Sequence, residues 1–382
     1  MDKANTNEDN ILEHRSKKEQ TLCFKQKDVD DLITKSKDEK VLKWIWKMWR
    51  QETGTSVKEY FKTAVDIENR AARRNGYTDV GESWREELEI SNLRHYCRQL
   101  FQSVKPLYTL LHGVVRYFLR KKYGDVVPIR GPIPAHLLGN LWTQNWEPIS
   151  DLIIPKSINI DESMKKKKWD VKHMQANSAF HESIGDAITI GVMTPQHLNR
   201  LGLINDTTLY STNKDHAQAV PNVSNEDKEN NTLKDSIKDD TNQLINANTD
   251  EILLLKRALN KIPQIPFSLL IDEYRWKYFE NNIDAATMNK EFWAMSLEIQ
   301  GISPPEDRNE EFFDLGAVYY VADNTPYIRK FMSHGNSQHW REILRDAFNE
   351  DDISAAALLR YYRPLEDFLI RLVEKHNIPL GW

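Results

Sequence analysis

Two acids spaced four residues apart, Glu182 and Asp186, are the first residues whose types and spacing suggest chemistry. They lie in Ala176-Asn177-Ser178-Ala179-Phe180-His181-Glu182-Ser183-Ile184-Gly185-Asp186, which runs on into the apolar residues Ala187, Ile188, Ile190, Val192 and Met193. A helix brings residues four apart onto one face, so both carboxylates would stack on one side of a mostly apolar helix. Burying them there is costly without a cation, a metal or hydrogen-bond donors. The plain alternative is a solvated acidic edge, and His181 fits a satisfied core histidine as well as a ligand. A catalytic zinc asks for more: three protein ligands and a water made nucleophilic by the metal. His181-Glu182 is the sole His-Glu pair in the chain, and the residue three past Glu182 is Gly185, so no H-E-x-x-H helix is present.

The elements that would position these groups are helical. From Asp28 to Arg50, Val29, Leu32, Ile33, Val41, Leu42, Ile45, Trp46 and Trp49 recur at helical spacing, and Gly54 follows as a stop signal. A second helix covers roughly Val57 to Arg74 and ends towards Gly76. A long helix, interrupted at Pro106, runs from about Leu93 to Lys122, and Tyr123-Gly124 closes it. Cys97 lies on its apolar stripe and reads as a buried thiol rather than a reactive one. A proline-stiffened turn into a short helix follows at Gly131 to Trp142. Between Asn205 and about Asp250 the chain is polar and without apolar periodicity, longer than a loop in a compact domain. The organisation expected is a disordered tail at 1–25, a helical part at 26–204, a polar flexible loop at 205–250 and a second helical part of the same domain at 251–382.

Several blocks together resemble the angiotensin-converting enzyme (peptidyl-dipeptidase A) family of zinc metallopeptidases. They are the Ala176–Asp186 segment, Arg70 through Arg85, Gly131-Pro132-Ile133-Pro134-Ala135-His136-Leu137-Leu138-Gly139-Asn140-Leu141-Trp142, Ile265 through Trp276, and Thr325-Pro326-Tyr327-Ile328-Arg329-Lys330-Phe331. The resemblance covers most of residues 22–204 and 251–382. It implies a mainly α, large helical two-lobed body with a central cleft, and an extracellular or secretory-pathway setting.

The resemblance also assigns roles. It implies that Glu182 is a zinc ligand and that Asp186 supports a ligating histidine from behind. The family's two histidine ligands and general base sit on a helix that this chain skips at Gln175, and a second jump occurs near Ser333. Tyr327 falls at a substrate-binding position and Arg329 at a chloride-binding one, whose tyrosine partner is replaced by Ser150. Lys330 stands where the family has a tyrosine donating to the developing oxyanion, a donor worth about a hundredfold or more in rate. Val318 and Tyr320 occupy the places of a lysine and a histidine that grip the substrate's C-terminal carboxylate and backbone, so a preference for a free C-terminus should be lost. Without a metal, Glu182 and Asp186 are expected to share a proton or to pair with Arg329.

Composition bounds the rest. The chain has 382 residues, 40% hydrophobic and 10% aromatic, enough for a packed core, and a net charge of −5 that implies no nucleic-acid electrostatics. Lys165 to Lys168 reads as a solvated loop. Cys23 and Cys97 cannot build a disulfide framework, which favours a reducing compartment. Met1 to Asn5 has no signal-peptide core, and no run of about 18 apolar residues occurs, so the chain as written reads as soluble and without a transmembrane segment. Against that stand three N-glycosylation sequons, at Asn205, Asn222 and Asn230.

Two functions remain open. One is a catalytically inactive homologue that binds peptides or partners, with no cofactor as written, zinc and chloride being what the resemblance alone implies. The other is a zinc-dependent peptidyl-dipeptidase, removing C-terminal dipeptides and seen here as an incomplete chain. A third expectation is structural: without the skipped helices, Leu137, Leu138, Trp142 and the helix after Asp186 would expose apolar faces and the chain would fold poorly.

Overall fold

The computed structural model describes residues 25–86, 90, 92–154, 200, 247–327, 345 and 354–382. Helices α1 (Gln26–Lys35) and α2 (Glu39–Trp49) replace the single helix that the apolar spacing suggests. The break has a local cause. Ser36 turns extended, and the Asp38 carboxylate accepts from the Lys40 and Val41 amides at 2.8 and 3.3 Å, capping α2.

Gly54 is no stop signal either. A π turn, Arg50–Gly54, runs without interruption into α3 (Thr55–Arg74). The glycine is a packing residue: a Cβ there would overlap the Phe313 carbonyl oxygen and come within 3.2 Å of the Ala317 nitrogen. After α4 (Val80–Glu86), α5 (Leu93–Tyr123) continues straight through Pro106, contrary to the expected interruption. Proline removes one amide bond from the ladder, but Val104, Leu107 and Tyr108 are buried on either side of it and hold the helix together. Gly124, at φ 63, then ends it.

A short strand β1 (Ile133–Pro134) pairs in parallel with β2 (Ile302–Ser303), the only strand pair among the described residues. Then come α6 (Ser150–Ile153), α7 (Thr249–Lys261), α8 (Gln264–Phe279), α9 (Met288–Gln300), a 3-10 turn at Asp314–Ala317, α10 (Tyr319–Ala322) and α11 (Ala356–His376). The α7 start is a capping box in which the Asn248 side chain accepts the Glu251 amide at 2.8 Å and Glu251 returns the bond to the Asn248 amide. That places helix two residues inside the stretch expected as loop. The fold is mainly α.

Two apolar cores form. The first joins α1, α2, the middle of α5, the β1 turn, α7 and α11 around Trp46, Tyr108, Trp146, Leu259 and Leu369. The second joins α3, α8, α9 and the Asp314–Ala317 turn around Phe61, Phe267, Tyr274, Phe279 and Phe313. Helix α8 is buried almost all round, as a helix without a polar face must be. Trp142, Ile265 and Trp293 pack against both cores and tie them together. Leu137 and Leu138 are fully buried in the first core rather than exposed, and Trp142 is half-buried between the two. The missing segments therefore do not leave these side chains bare.

Candidate functional site

Among the residues implicated by sequence, the structure brings Tyr327 and Tyr320 together at the seam between the two cores. The Tyr327 ring stands edge-on to Tyr320, with centroids 4.8 Å apart, and to Phe267 at 5.5 Å. Its hydroxyl donates to Gln144 Oε1 at 2.6 Å, and its backbone amide donates to Asp272 Oδ1 at 3.1 Å. Tyr320 in turn meets Trp142 at 6.2 Å, whose indole nitrogen donates to the Ala317 carbonyl at 3.0 Å.

One buried ion pair holds this arrangement. Asp272 and Arg275 sit one turn apart on α8, both inside the protein, and Arg275 donates to Asp272. Its other terminal guanidinium nitrogen donates to the Tyr320 carbonyl at 3.3 Å and the Thr325 carbonyl at 2.8 Å. Arg275 is thus occupied in fixing the backbone on either side of α10. A buried pair of this kind is tolerated because every charge has a partner.

Gln144 was not legible as a site residue. It lies in the turn that continues Gly131–Trp142, and the signal beside it is conformational: Thr143 has φ 66, a left-handed backbone that a β-branched residue rarely adopts. The Thr143 hydroxyl donates to the Trp142 carbonyl at 2.5 Å and helps hold the turn. Such strain, about 1–3 kcal/mol, persists only where surrounding contacts impose it. Here it sets Trp142 and Gln144 on either side of one buried residue. Asp272 and Arg275 carried a clearer signal, as an acid and a base one turn apart in a helix otherwise buried.

The other implicated residues part company. Val318 is buried in the second core at 1% exposure, so it packs and grips nothing. Ser150 is the first residue of α6 and half-buried. Glu182, Asp186, His181, Arg329 and Lys330 lie outside the described residues, as do the sequons Asn205, Asn222 and Asn230, Cys23 and the Lys165–Lys168 run; so does the pairing expected between Arg329 and the two acids. Cys97 is half-buried, and burial pushes its thiol up to about 12, with Asp272 and Glu273 adding to the shift, so it is not a thiolate nucleophile.

Beneath the site a second ionic knot joins the cores. Arg308 grips Asp314 with two bonds, at 2.7 and 3.0 Å, while the Trp293 indole donates to the same carboxylate at 2.8 Å. Arg50 donates to the Asp314 carbonyl at 2.7 Å and the Leu141 carbonyl at 3.0 Å, and its guanidinium lies 4.6 Å from the Trp46 ring centroid. Burial alone would raise the Asp314 carboxyl, but Arg308, Arg50 and Trp293 together hold it below its usual value. A concavity of about 630 Å³ lies beside Arg94, Arg98, Glu273 and Lys277. Its two arginines are already engaged, Arg98 with Glu273 at 2.8 Å and Arg94 with Glu280 at 2.8 Å.

Among the described residues no group of three or more His, Cys, Asp or Glu side chains could hold a metal. Outside them, the sequence offers Glu182 without the paired histidines and the general base that a peptidase zinc requires. No described helix is long and apolar enough to cross a membrane.

Known proteins match this sequence along most of its length. The family model for angiotensin-converting enzyme, Peptidase_M2, matches residues 3–175, 174–334 and 329–382. The angiotensin-converting enzyme of Bos taurus is 28% identical over 499 aligned positions, covering 95% of this chain and 36% of that protein. Angiotensin-converting enzyme-like protein Ace3 of Mus musculus is 29% identical over 453 positions, covering 93% of this chain and 62% of the relative. The angiotensin-converting enzyme of Theromyzon tessulatum is 28% identical over 440, covering 89% and 71%. The chain thus spans about a third of the length of the mammalian angiotensin-converting enzymes, at 34–36% of each. An alignment of 499 positions also exceeds the 382 residues of the chain, so the bovine relative carries long stretches with no counterpart here. The family match breaks at 174–175 and between 329 and 334, where the sequence itself jumps.

Proposed function

From the premise that this chain belongs to the angiotensin-converting enzyme family, we propose that it is a non-catalytic member, a pseudopeptidase that binds peptides at the Tyr327–Gln144 seam. One observation carries this reading. The family match breaks at 174–175, immediately before the Glu182 segment, and no H-E-x-x-H occurs anywhere in the 382 residues. A peptidase without those ligands lacks both the activated water and its general base. What remains supports binding: the Gln144 amide, oriented by the Tyr327 hydroxyl, offers its nitrogen as a hydrogen-bond donor. Val318 supplies no cation for a carboxylate, and Arg275 is spent on Asp272 and backbone carbonyls.

The test is calorimetric titration of matched peptides ending in a free acid or a carboxamide, with each mixture examined afterwards by mass spectrometry. The reading expects binding of both with similar affinity and intact peptide at the end. Release of dipeptides would instead support the rival reading, in which the chain is an incomplete view of a zinc peptidyl-dipeptidase.

A further inference from the structure

The turn between α5 and β1 presents two apolar side chains to the outside. Val127 enters the first core, while Val126 and Ile129 stand 45% and 62% exposed on either side of it. The turn cannot fold them away, because it is pinned at two points. Arg120 donates to the Val127 carbonyl at 2.6 Å, and the buried Arg116 donates to the Gly131 carbonyl at 2.9 Å. Arg116 also holds the Gly381 carbonyl at 2.8 Å and the Pro379 carbonyl, which fixes the segment after α11 against the same turn. Between them remains a concavity of about 190 Å³, lined in part by Tyr117, Arg120, Ile129 and His376.

Isolated exposed apolar residues are ordinary on a protein surface. These two are set apart by the charges around them. Lys121 lies 5.3 Å from the Tyr117 ring centroid, and the Tyr117 hydroxyl meets His376 Nδ1 at 3.2 Å. Burial, then the charges of Lys121 and Lys375, hold His376 below its usual value, so both ammonium groups act at this one place. Arg130 follows Ile129 in the turn and acts in the same direction on Arg116, after the larger effect of burial. Lys121, Arg130 and Lys375 are exposed. With Arg120 they outnumber the acids next to them in sequence, Asp125 and Glu374, in a chain whose net charge is −5. Asp125 is itself bonded to Arg120 at 2.6 Å. A fixed apolar tip within a cationic rim matches the boundary of an anionic bilayer, where acyl chains lie just beneath negatively charged headgroups. Nucleic acid or an acidic polysaccharide would satisfy the cations and leave Ile129 in water. We propose that this face docks on an anionic phospholipid membrane, Val126 and Ile129 entering the acyl boundary while Lys121, Arg130 and Lys375 meet the lipid headgroups.

Co-sedimentation of the intact chain with vesicles tests it, using phosphatidylcholine alone and a phosphatidylcholine–phosphatidylserine mixture. The chain should pellet with the mixture and stay in solution with phosphatidylcholine, and the bound fraction should fall as salt is raised. Lys375→Gln and Arg130→Gln should each weaken binding about fivefold, the worth of one cation close to such a surface. Ile129→Ser, a change at an exposed position, should weaken it about tenfold or more by removing apolar area. No binding to the mixture, or equal binding to both vesicles, would overturn the proposal. So would a loss confined to one class of variant. If only the charge variants matter, the face is a polyanion site; if only Ile129→Ser matters, it is an apolar contact with another protein.

Discussion

The Tyr327 hydroxyl donates to Gln144 Oε1 at 2.6 Å across 183 positions of sequence, joining the turn after Trp142 to the segment after α10. Tyr327 is buried and Gln144 half-buried, so the bond is partly shielded from water. Tyr327→Phe should therefore cost about 1 kcal/mol of stability, the usual net value of such a bond. It should also weaken peptide binding, because nothing then fixes which way the Gln144 amide faces. Urea unfolding and peptide titration on the same variant check both effects. A variant of unchanged affinity would detach the bond from binding.

The Arg308–Asp314 pair tests how the cores are joined. Both side chains are fully buried and their carboxylate–guanidinium bonds are 2.7 and 3.0 Å. Asp314→Ala leaves Arg308 charged and unpaired in the interior and removes the countercharge beside Arg50, whose two carbonyl bonds remain, and should cost about 3–5 kcal/mol. Replacing both partners, with Asp314→Leu and Arg308→Met, should cost less than the single change, since no lone charge is left behind. Denaturant midpoints of the two variants decide the order. If the single change is the milder one, the pair is not the desolvated contact described.

Two histidines give the fold a pH dependence. Burial pushes His112 down from 6.5 to about 3, against a bond to the Gly301 carbonyl that works the other way. Burial likewise pushes His136 from 6.5 to about 4, against the opposing effect of Glu39, which accepts from its ring at 3.0 Å. With folded values below the unfolded one, the unfolded chain takes up the proton first. Their contribution is complete above pH 6.5 and is lost as pH falls from there towards 4 and then 3. Each should cost about 1.4 kcal/mol per pH unit in that window, or about 4 kcal/mol for the pair at pH 5. Burial raises the carboxyls of Glu68 and Asp30, which act in the opposite direction at lower pH. Urea midpoints from pH 7.5 to 4.5 should fall for the native chain and fall less steeply for His112→Gln. Parallel curves would contradict the assignment.

Local order was readable where it repeats. The apolar periodicity of α3 and α5 locates those helices to within a few residues, because a buried face leaves a regular trace in the chain. Breaks were not, since they depend on contacts distant in sequence. Gly54 reads as a stop until the Phe313 carbonyl is seen to press against it, and Pro106 reads as an interruption until its buried neighbours are seen to hold the helix. The same distinction applies to the site. Tyr327 sits in a block recognisable by resemblance, whereas Gln144 is one amide in a turn and acquires meaning only from a partner far along the chain. Val318 shows the reverse: its position suggested a lost grip on substrate, and its burial shows that the side chain serves the second core instead.

The most direct test of the account is the zinc content of the purified, folded chain, measured together with cleavage of a peptide bearing a free C-terminus, with and without chelator. The account predicts substoichiometric zinc and no turnover under either condition from a sample that is monodisperse on size-exclusion chromatography. Stoichiometric zinc with chelator-sensitive release of a C-terminal dipeptide would contradict it, and would mean that a ligand set other than H-E-x-x-H completes the site around Glu182.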